Sequence, residues 1–177
     1  MDKKQWIFGG LLIVLIVVGF WVWQSFKAPN VAITDFKSCA AAGKEIMESY
    51  PRQCAYNGQT FTENVGNGVE HTNLITVSNP VPNQTIASPL TITGQAVGNW
   101  YNEASFPVKL FDASNNLLAE GVAQAQGNWM TTSFVPFTIT LNFATQPANS
   151  TGTLILYKDN PSGDPQNDDQ LTIPVSF

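Results

Sequence analysis

The stretch Leu90-Thr-Ile-Thr-Gly-Gln-Ala96 decides the fold, because apolar or small residues occupy every second position and polar residues the others. The same alternation recurs in Phe137-Thr-Ile-Thr-Leu-Asn-Phe143 and in Leu171-Thr-Ile-Pro-Val-Ser-Phe177. Side chains two residues apart on a β-strand share a face, so each stretch has one face for a core and one for solvent. This pattern is typical of antiparallel sheets packed face to face.

Short apolar runs of this kind follow one another from residue 74 to residue 177. They cover residues 74–78, 90–96, 106–111, 117–125, 134–143, 151–159 and 171–177. Turn-forming Pro, Gly, Asn and Ser stand between them. Pro107 and Pro174 lie inside runs, and since proline cannot donate a ladder hydrogen bond, we expect them on edge strands or at strand ends. The predicted fold is all-β, an antiparallel sandwich of about seven strands.

The composition supports this fold and excludes several functional classes. Hydrophobic residues make up 44% of the 177 residues and charged residues only 12%, which fits neither a disordered chain nor a long charged helix. The net charge of -5 has the wrong sign for a phosphate backbone, so we expect no nucleic-acid partner. A large multidomain enzyme is excluded by length.

An uncharged apolar segment precedes the other elements. Residues 5–26 contain no charged side chain, and a helix of this length spans a hydrocarbon core of about 30 Å. Trp6 stands at one end and Trp21 and Trp23 at the other, where indole rings settle at the headgroup level. The segment predicts a transmembrane helix over residues 6–26.

Lys3 and Lys4 set the expected orientation of this helix. Because positive flanking charge favours the cytoplasm, residues 1–5 are predicted to be a cytoplasmic tail and residues 28–177 to be extracytoplasmic. The protein is thus expected in the cell membrane as a single-pass protein. A cleaved signal peptide is the alternative, but its apolar core would be shorter and would end in a small-x-small cleavage site.

Two cysteines, Cys39 and Cys54, are the only ones in the sequence. An extracytoplasmic location is oxidising, so they predict a disulfide that staples a small α+β segment over residues 31–63. Thr34 or Asp35 can cap its short helix. A zinc or redox site is the alternative, but zinc requires about four ligands and a redox motif requires CxxC spacing.

Two further local features complete this N-terminal part. Asn57-Gly58 reads as the two-residue turn of a hairpin. Residues 64–73 are rich in Asn and Gly, so we interpret them as a flexible linker and a domain boundary. His71, the only histidine, is expected to be solvated there.

Four aspartates between the last two runs are candidates for calcium binding. Carboxylates supply the hard oxygen ligands that calcium prefers, with Asn160 and Asn167 beside them, although the spacing is not that of an EF-hand. The alternative is a solvated acidic loop that protects the sheet edge from aggregation. The candidates are Asp159, Asp164, Asp168 and Asp169.

Three aromatic residues near turns are candidates for a ligand-stacking platform. Trp100, Tyr101 and Trp129 would stack on a sugar or a peptide if their rings are exposed, or would cap the core if they are buried. Catalysis is not expected. His71 follows no GxSxG motif, and adjacent Asp168 and Asp169 point to opposite faces of an extended chain.

Several segments in order carry a family resemblance over residues 74–177. They are Ile75-Thr-Val-Ser-Asn-Pro80, Ser88-Pro-Leu-Thr-Ile-Thr-Gly-Gln-Ala96, Leu118-Ala-Glu-Gly121, Lys158-Asp-Asn-Pro-Ser-Gly163 and Ile173-Pro-Val175. This set resembles the immunoglobulin-like domain of bacterial spore germination proteins. The resemblance implies a bacterial, extracytoplasmic, noncatalytic sandwich, and the family supplies no catalytic residues. It does not imply a role in germination. Residues 39–63 are similar to a short cysteine-containing segment of bacterial envelope proteins.

The functional expectation combines these features. We expect a membrane-anchored, extracytoplasmic, noncatalytic binding module of the bacterial cell envelope that recognises a wall component or a protein partner. The alternative is a structural spacer or accessory subunit of an envelope complex. No cofactor is expected unless the acidic loop binds calcium.

Overall fold

The computed structural model describes residues 32–177. These residues divide into two compact units, one formed by residues 32–47 and 54–61 and the other by residues 48–53 and 62–177. The predicted cytoplasmic tail and transmembrane helix, residues 1–5 and 6–26, lie outside the described residues. In residues 32–177, no helix has both the length and the apolarity needed to cross a membrane.

The first unit contains a short helix and most of a small sheet. Helix α1 is Phe36–Ala41, and the sheet has the order β1 (Glu45–Met47), β2 (Gln53–Tyr56), β3 (Gln59–Thr62). Asp35 caps α1, since its Oδ1 accepts the backbone N–H of Ser38 at 2.7 Å. That backbone donor, with the Ser38 hydroxyl, lowers the pKa of Asp35.

The disulfide and the hairpin turn confirm two predictions for this unit. Cys39 and Cys54 are bonded, with Cα atoms 6.1 Å apart, and both are fully buried. Asn57 and Gly58 have φ values of 49° and 76°, as a two-residue turn between antiparallel strands requires.

The second unit contains the seven predicted strands in one continuous ladder. The strands are β4 (Ile75–Asn79), β5 (Leu90–Val97), β6 (Ser105–Asp112), β7 (Leu117–Ala125), β8 (Phe134–Leu141), β9 (Thr151–Tyr157) and β10 (Gln170–Ser176). Their order across the ladder is β10-β9-β6-β7-β8-β5-β4. The prediction of an all-β sandwich is confirmed.

The ladder folds into two facing layers at the junction of β7 and β8. These strands pair only at Gln124 and Ala125, whereas β7 pairs with β6 along most of its length. Phe106 on β6 and Phe137 on β8 are two strands apart, yet their ring centroids are 4.9 Å apart. The layers β4-β5-β8 and β6-β7-β9-β10 therefore face each other. All seven strands contribute side chains to one apolar core.

Three prolines lie inside strands, Pro107, Pro136 and Pro174, and of these Pro174 lies on an edge strand as predicted. Pro174 lies on β10, an edge strand of the ladder. Pro107 lies on β6, an interior strand, but the pairing of β6 with β9 begins one residue later, at Val108. Pro107 therefore removes no hydrogen bond from the ladder between β6 and β9.

Residues 64–73 differ from the flexible linker that their composition predicts. Val65 is only 5% exposed. The side-chain amide of Asn67 accepts the N–H of Thr172 at 2.7 Å and donates to the carbonyl of Gln170 at 2.8 Å. A side-chain amide offers the donor and acceptor of a peptide group, so Asn67 pairs with the outer edge of β10 as a strand residue would. We call residues 64–73 the anchored segment.

A second stretch covers the remainder of the same edge. The N–H of Asn83 donates to the carbonyl of Pro174 at 2.7 Å, and the N–H of Ser176 donates to the carbonyl of Gln84 at 3.0 Å. Thr85 forms a parallel bridge with Ser176. The outer edge of β10 is thus covered along its length, which protects the sandwich from edge-to-edge association.

Candidate functional site

The outward side of the layer β6-β7-β9-β10 carries an unusual share of apolar and aromatic residues, and we call it the apolar face. On β6, β9 and β10 its residues alternate with buried ones, and on β7 they are exposed. They are Pro107, Lys109, Phe111, Leu117, Glu120, Val122, Thr153, Ile155, Tyr157, Thr172 and Pro174. Val122 and Leu117 are 51% and 47% exposed, so β7 presents the most accessible part of the face.

The charges on the apolar face compensate each other. Lys109 stands between Glu120 on β7 and Ile155 on β9 in the strand register. Its Nζ is 3.6 Å from Oε2 of Glu120 and 5.9 Å from the ring centroid of Tyr157. An ion pair and a cation–π contact thus neutralise the ammonium group within the face. The remaining surface is mainly aliphatic and aromatic.

The outward side of the other layer has a different chemistry. Strands β5 and β8 place Thr91 opposite Thr140 and Thr93 opposite Thr138. The hydroxyls of Thr91 and Thr140 are 3.2 Å apart, within hydrogen-bond distance. Phe134, 38% exposed, lies at the end of β8. We call this side the threonine face, because its centre presents hydroxyls.

The apolar face suits recognition of a protein surface. Flat strand surfaces with aromatic residues and few net charges resemble the centres of protein interfaces, whereas small ligands occupy concave pockets. Within residues 32–177, no three His, Cys, Asp or Glu side chains gather to hold a metal ion. Noncovalent binding is the chemistry that this arrangement supports.

Comparison with known protein families identifies the sandwich. Residues 74–164 match the family described as the immunoglobulin-like domain of bacterial spore germination. The chain belongs to this family. The match spans β4 to β9 of the immunoglobulin-like domain and confirms the resemblance carried by its sequence segments. Comparisons with curated proteins and with solved structures gave no match.

The immunoglobulin-like domain does not expose the predicted stacking platform. Trp100 is fully buried and Tyr101 is 4% exposed, so both belong to the core, which corrects the interpretation of these two rings as a binding surface. Trp129 is partly buried and packs against the same core. The reason is local: the 3₁₀ turn Gly98–Trp100 directs the Trp100 side chain inward.

Tyr101 fixes this corner of the core. Its hydroxyl donates to the carbonyl of Val135 at 2.7 Å, and its ring packs at 5.2 Å from that of Phe106. Burial raises the pKa of Tyr101 to about 12. The phenol therefore acts as a structural hydrogen-bond donor of the immunoglobulin-like domain.

The four predicted calcium ligands do not converge on one point. Asp168 accepts from the side chain of Asn160 at 2.7 Å, and Asp164 accepts the backbone N–H of Gln166 at 3.0 Å. Asp169 accepts from His71 at 2.8 Å. Asp159 is fixed through its backbone, whose N–H donates to the carbonyl of Trp100 at 3.0 Å. The carboxylates of Asp164 and Asp168 thus stabilise their own loop. Since no three possible ligands gather to hold a metal ion in residues 32–177, the geometry does not support the calcium interpretation.

His71 is placed differently from the solvated linker residue that the sequence predicts. Its side chain is 12% exposed, and its ring meets that of Trp100 edge to face at 6.0 Å. Burial alone would lower the pKa of His71, but hydrogen bonds to the Asn67 carbonyl and the Asp169 carboxylate raise it, and the net shift is upward. No motif marks this contact, since it joins residues distant in sequence.

Arg52 and Glu63 form a second contact of the same unit. The guanidinium donates from Nε to Oε2 at 2.8 Å and from Nη2 to Oε1 at 2.6 Å. This bidentate contact lowers the pKa of Glu63. The Glu63 N–H also donates to the Arg52 carbonyl at 2.8 Å, so backbone pairing places the two side chains next to each other.

The sequence held a signal for the apolar face. Residues 154–157 read Leu-Ile-Leu-Tyr, so both sides of β9 are apolar, whereas a strand with one wetted side alternates. A similar departure occurs on β6, where Pro107 and Phe111 stand at outward positions. Apolar residues at positions reserved for solvent indicate a binding surface.

Proposed function

We propose that the protein is a membrane-anchored, extracytoplasmic, noncatalytic binding module of the bacterial cell envelope, and that it binds a protein partner on the apolar face. The apolar segment over residues 6–26 supports anchoring. The Cys39–Cys54 disulfide supports an oxidising location. Membership of the immunoglobulin-like family supports a binding role.

The contrast between the two outward sides carries the proposal. A sandwich that served only as a spacer would need solvent-compatible residues on both sides. The centre of the threonine face meets that need with its hydroxyls, whereas the apolar face exposes Val122 and Leu117, and the charges of Lys109 and Glu120 on it pair with each other. An apolar, charge-compensated surface gains free energy when a protein partner removes it from water.

Site-specific photo-crosslinking in living cells tests this proposal. A photoreactive amino acid replaces Val122 in the full chain, and in a matched control it replaces Thr91 on the threonine face. Both positions are exposed on outward strand faces. We expect one defined protein adduct from position 122 and none from position 91. In a second chain the photoreactive amino acid replaces Leu117 instead, and Val122→Glu in that chain should abolish the adduct. Val122→Ser should keep the fold.

A wall component as ligand gives a different outcome. The full chain in detergent would then pellet with purified cell wall in a saturable manner, without a protein adduct from position 122. Equal adducts from positions 122 and 91 would contradict binding on the apolar face. Wall pelleting that Val122→Glu abolishes, with no protein adduct from position 122, would overturn the protein-partner proposal.

A further inference from the structure

Both ring nitrogens of His71 face hydrogen-bond acceptors. Nδ1 is 3.0 Å from the backbone carbonyl oxygen of Asn67, and Nε2 is 2.8 Å from Oδ1 of Asp169. A carbonyl oxygen and an ionised carboxylate accept hydrogen bonds and cannot donate them. Neutral imidazole has one N–H and can satisfy only one of these contacts, whereas imidazolium satisfies both.

The residue that His71 holds is the one that covers β10. Besides its carbonyl contact to His71, Asn67 receives hydrogen bonds on Oδ1 from the N–H and the hydroxyl of Thr172, at 2.7 and 3.1 Å. Its Nδ2 donates to the Gln170 carbonyl at 2.8 Å. The state of the imidazole is thus connected through one residue to the outer edge of β10.

The groups around the imidazole favour its charged form. Asp169 faces Nε2, and Glu70 lies next to His71 on the anchored segment. Lys158 and Asp168 line a nearby depression of about 440 Å³ together with Asn67 and Asp169. The Lys158 ammonium donates to the carbonyl of Asn167 at 3.1 Å, and Asp168 accepts from Asn160. The Trp100 ring packs against the remaining side.

We propose that His71 is a proton-operated latch that fixes the anchored segment on β10 when protonated and loosens the contact between Asn67 and Thr172 when it loses its proton. This regulatory role goes beyond the binding function of the apolar face. In the folded protein the pKa of His71 lies above its ordinary value of 6.5. The latch is therefore more than half closed at pH 6.5, closes further as the pH falls, and opens as the pH rises through the folded-state pKa.

NMR of the full chain in detergent micelles tests the latch directly. The chain has a single histidine, so its imidazole resonances are assigned without ambiguity. We expect a pKa above 6.5 that falls in Asp169→Asn. The matched control, Asp168→Asn, removes the same charge from the neighbouring residue and should leave the His71 pKa unchanged.

Hydrogen exchange on the edge of β10 reports whether titration opens it. The amide of Thr172 is held by Asn67, whereas the amide of Ser176 on the same edge is held by Gln84. Across the His71 titration we expect protection at Thr172 to fall about three- to tenfold relative to Ser176, as loss of one hydrogen bond of ordinary strength implies. His71→Gln should make this ratio independent of pH.

Two outcomes would overturn the latch. One is a His71 pKa at or below 6.5 that Asp169→Asn does not change. The other is a pH-dependent Thr172 to Ser176 ratio that persists in His71→Gln, since the change would then come from another group. The second comparison does not depend on Asp169→Asn, so the test survives if that variant fails to fold.

Discussion

Gly66 illustrates at the scale of one residue how the anchored segment reaches β10. It has a φ of +73°, and a Cβ atom there would lie 1.9 Å from the carbonyl oxygen of Thr172. Gly66→Ala should therefore lower the free energy of unfolding by about 3 kcal/mol, measured by urea denaturation with tryptophan fluorescence.

Gly163 is the matched control for this substitution. Its φ of +67° imposes the same backbone strain, but a Cβ atom there meets nothing within 4 Å. Gly163→Ala should cost only about 1 kcal/mol, the penalty of the left-handed conformation. Equal losses in the two variants would mean that the contact between Gly66 and Thr172 is unimportant for stability.

Tyr101 predicts a loss of stability at alkaline pH. Because burial raises its pKa from 10.0 to about 12, the neutral phenol is favoured in the folded state, and the stabilisation is complete below pH 10. It is lost as the pH rises from 10 to 12, by about 1.4 kcal/mol per pH unit. Urea midpoints at pH 9 and pH 11 should differ more for the native chain than for Tyr101→Phe.

The comparison with Tyr101→Phe isolates this residue from other groups that titrate at alkaline pH. The variant lacks the hydrogen bond to Val135 and should be about 1 kcal/mol less stable at neutral pH. Parallel pH curves for the two proteins would show that Tyr101 ionises freely and would contradict its buried position.

At the scale of secondary-structure elements, alternation predicted β5, β8 and β10, because one side of each of these strands packs on the core. The other four strands were predicted from short apolar runs separated by turn residues. Strand ends were less predictable. The run ending at Phe143 outlasts β8, which ends at Leu141, since Phe143 packs against Phe177 at 5.9 Å without being part of the ladder. The hydrophobic period of the sequence follows the burial of side chains, whereas the end of a strand is defined by backbone pairing.

The elements that escaped prediction are those held by side chains from distant residues. The anchored segment has the polar composition of a linker, and only the pairing of Asn67 with β10 reveals it as an edge cover. The sequence did not indicate where the Trp100 side chain points, because a 3₁₀ turn lacks the clear period of a strand. The candidate calcium ligands were recognised by residue type, but whether their carboxylates converge on one ion depends on tertiary contacts.

The disulfide is the element that stabilises the first unit. Cys39 and Cys54 close a loop of 15 residues, which contributes about 3 kcal/mol in the chain-entropy account. Reduction should therefore abolish the exchange protection of amides in α1. The Cys39→Ala/Cys54→Ala double variant should lack this protection with or without reductant. Protection in α1 that survives reduction would show that helix capping and packing suffice.

At the scale of the immunoglobulin-like domain, one edge of the ladder is covered and the apolar face is open. The outer edge of β10 is covered by the anchored segment and by residues 83–86, which blocks strand addition there. The apolar face remains open and has no such cover in the described residues. Recognition through a face, with edges protected, allows a specific partner without uncontrolled association.

The orientation of the whole chain gives the last prediction. Alkaline phosphatase folds into an active enzyme only where its disulfides form, and green fluorescent protein in its ordinary form matures in the cytoplasm. We expect the phosphatase to be active, and the fluorescent protein to be dark, when each is fused after Phe177. Replacing Lys3 and Lys4 by Gln should weaken the positive-inside bias and reduce phosphatase activity. Replacing both lysines by Arg keeps the charge and should preserve phosphatase activity. Equal effects of the Gln and Arg replacements would contradict an orientation set by charge.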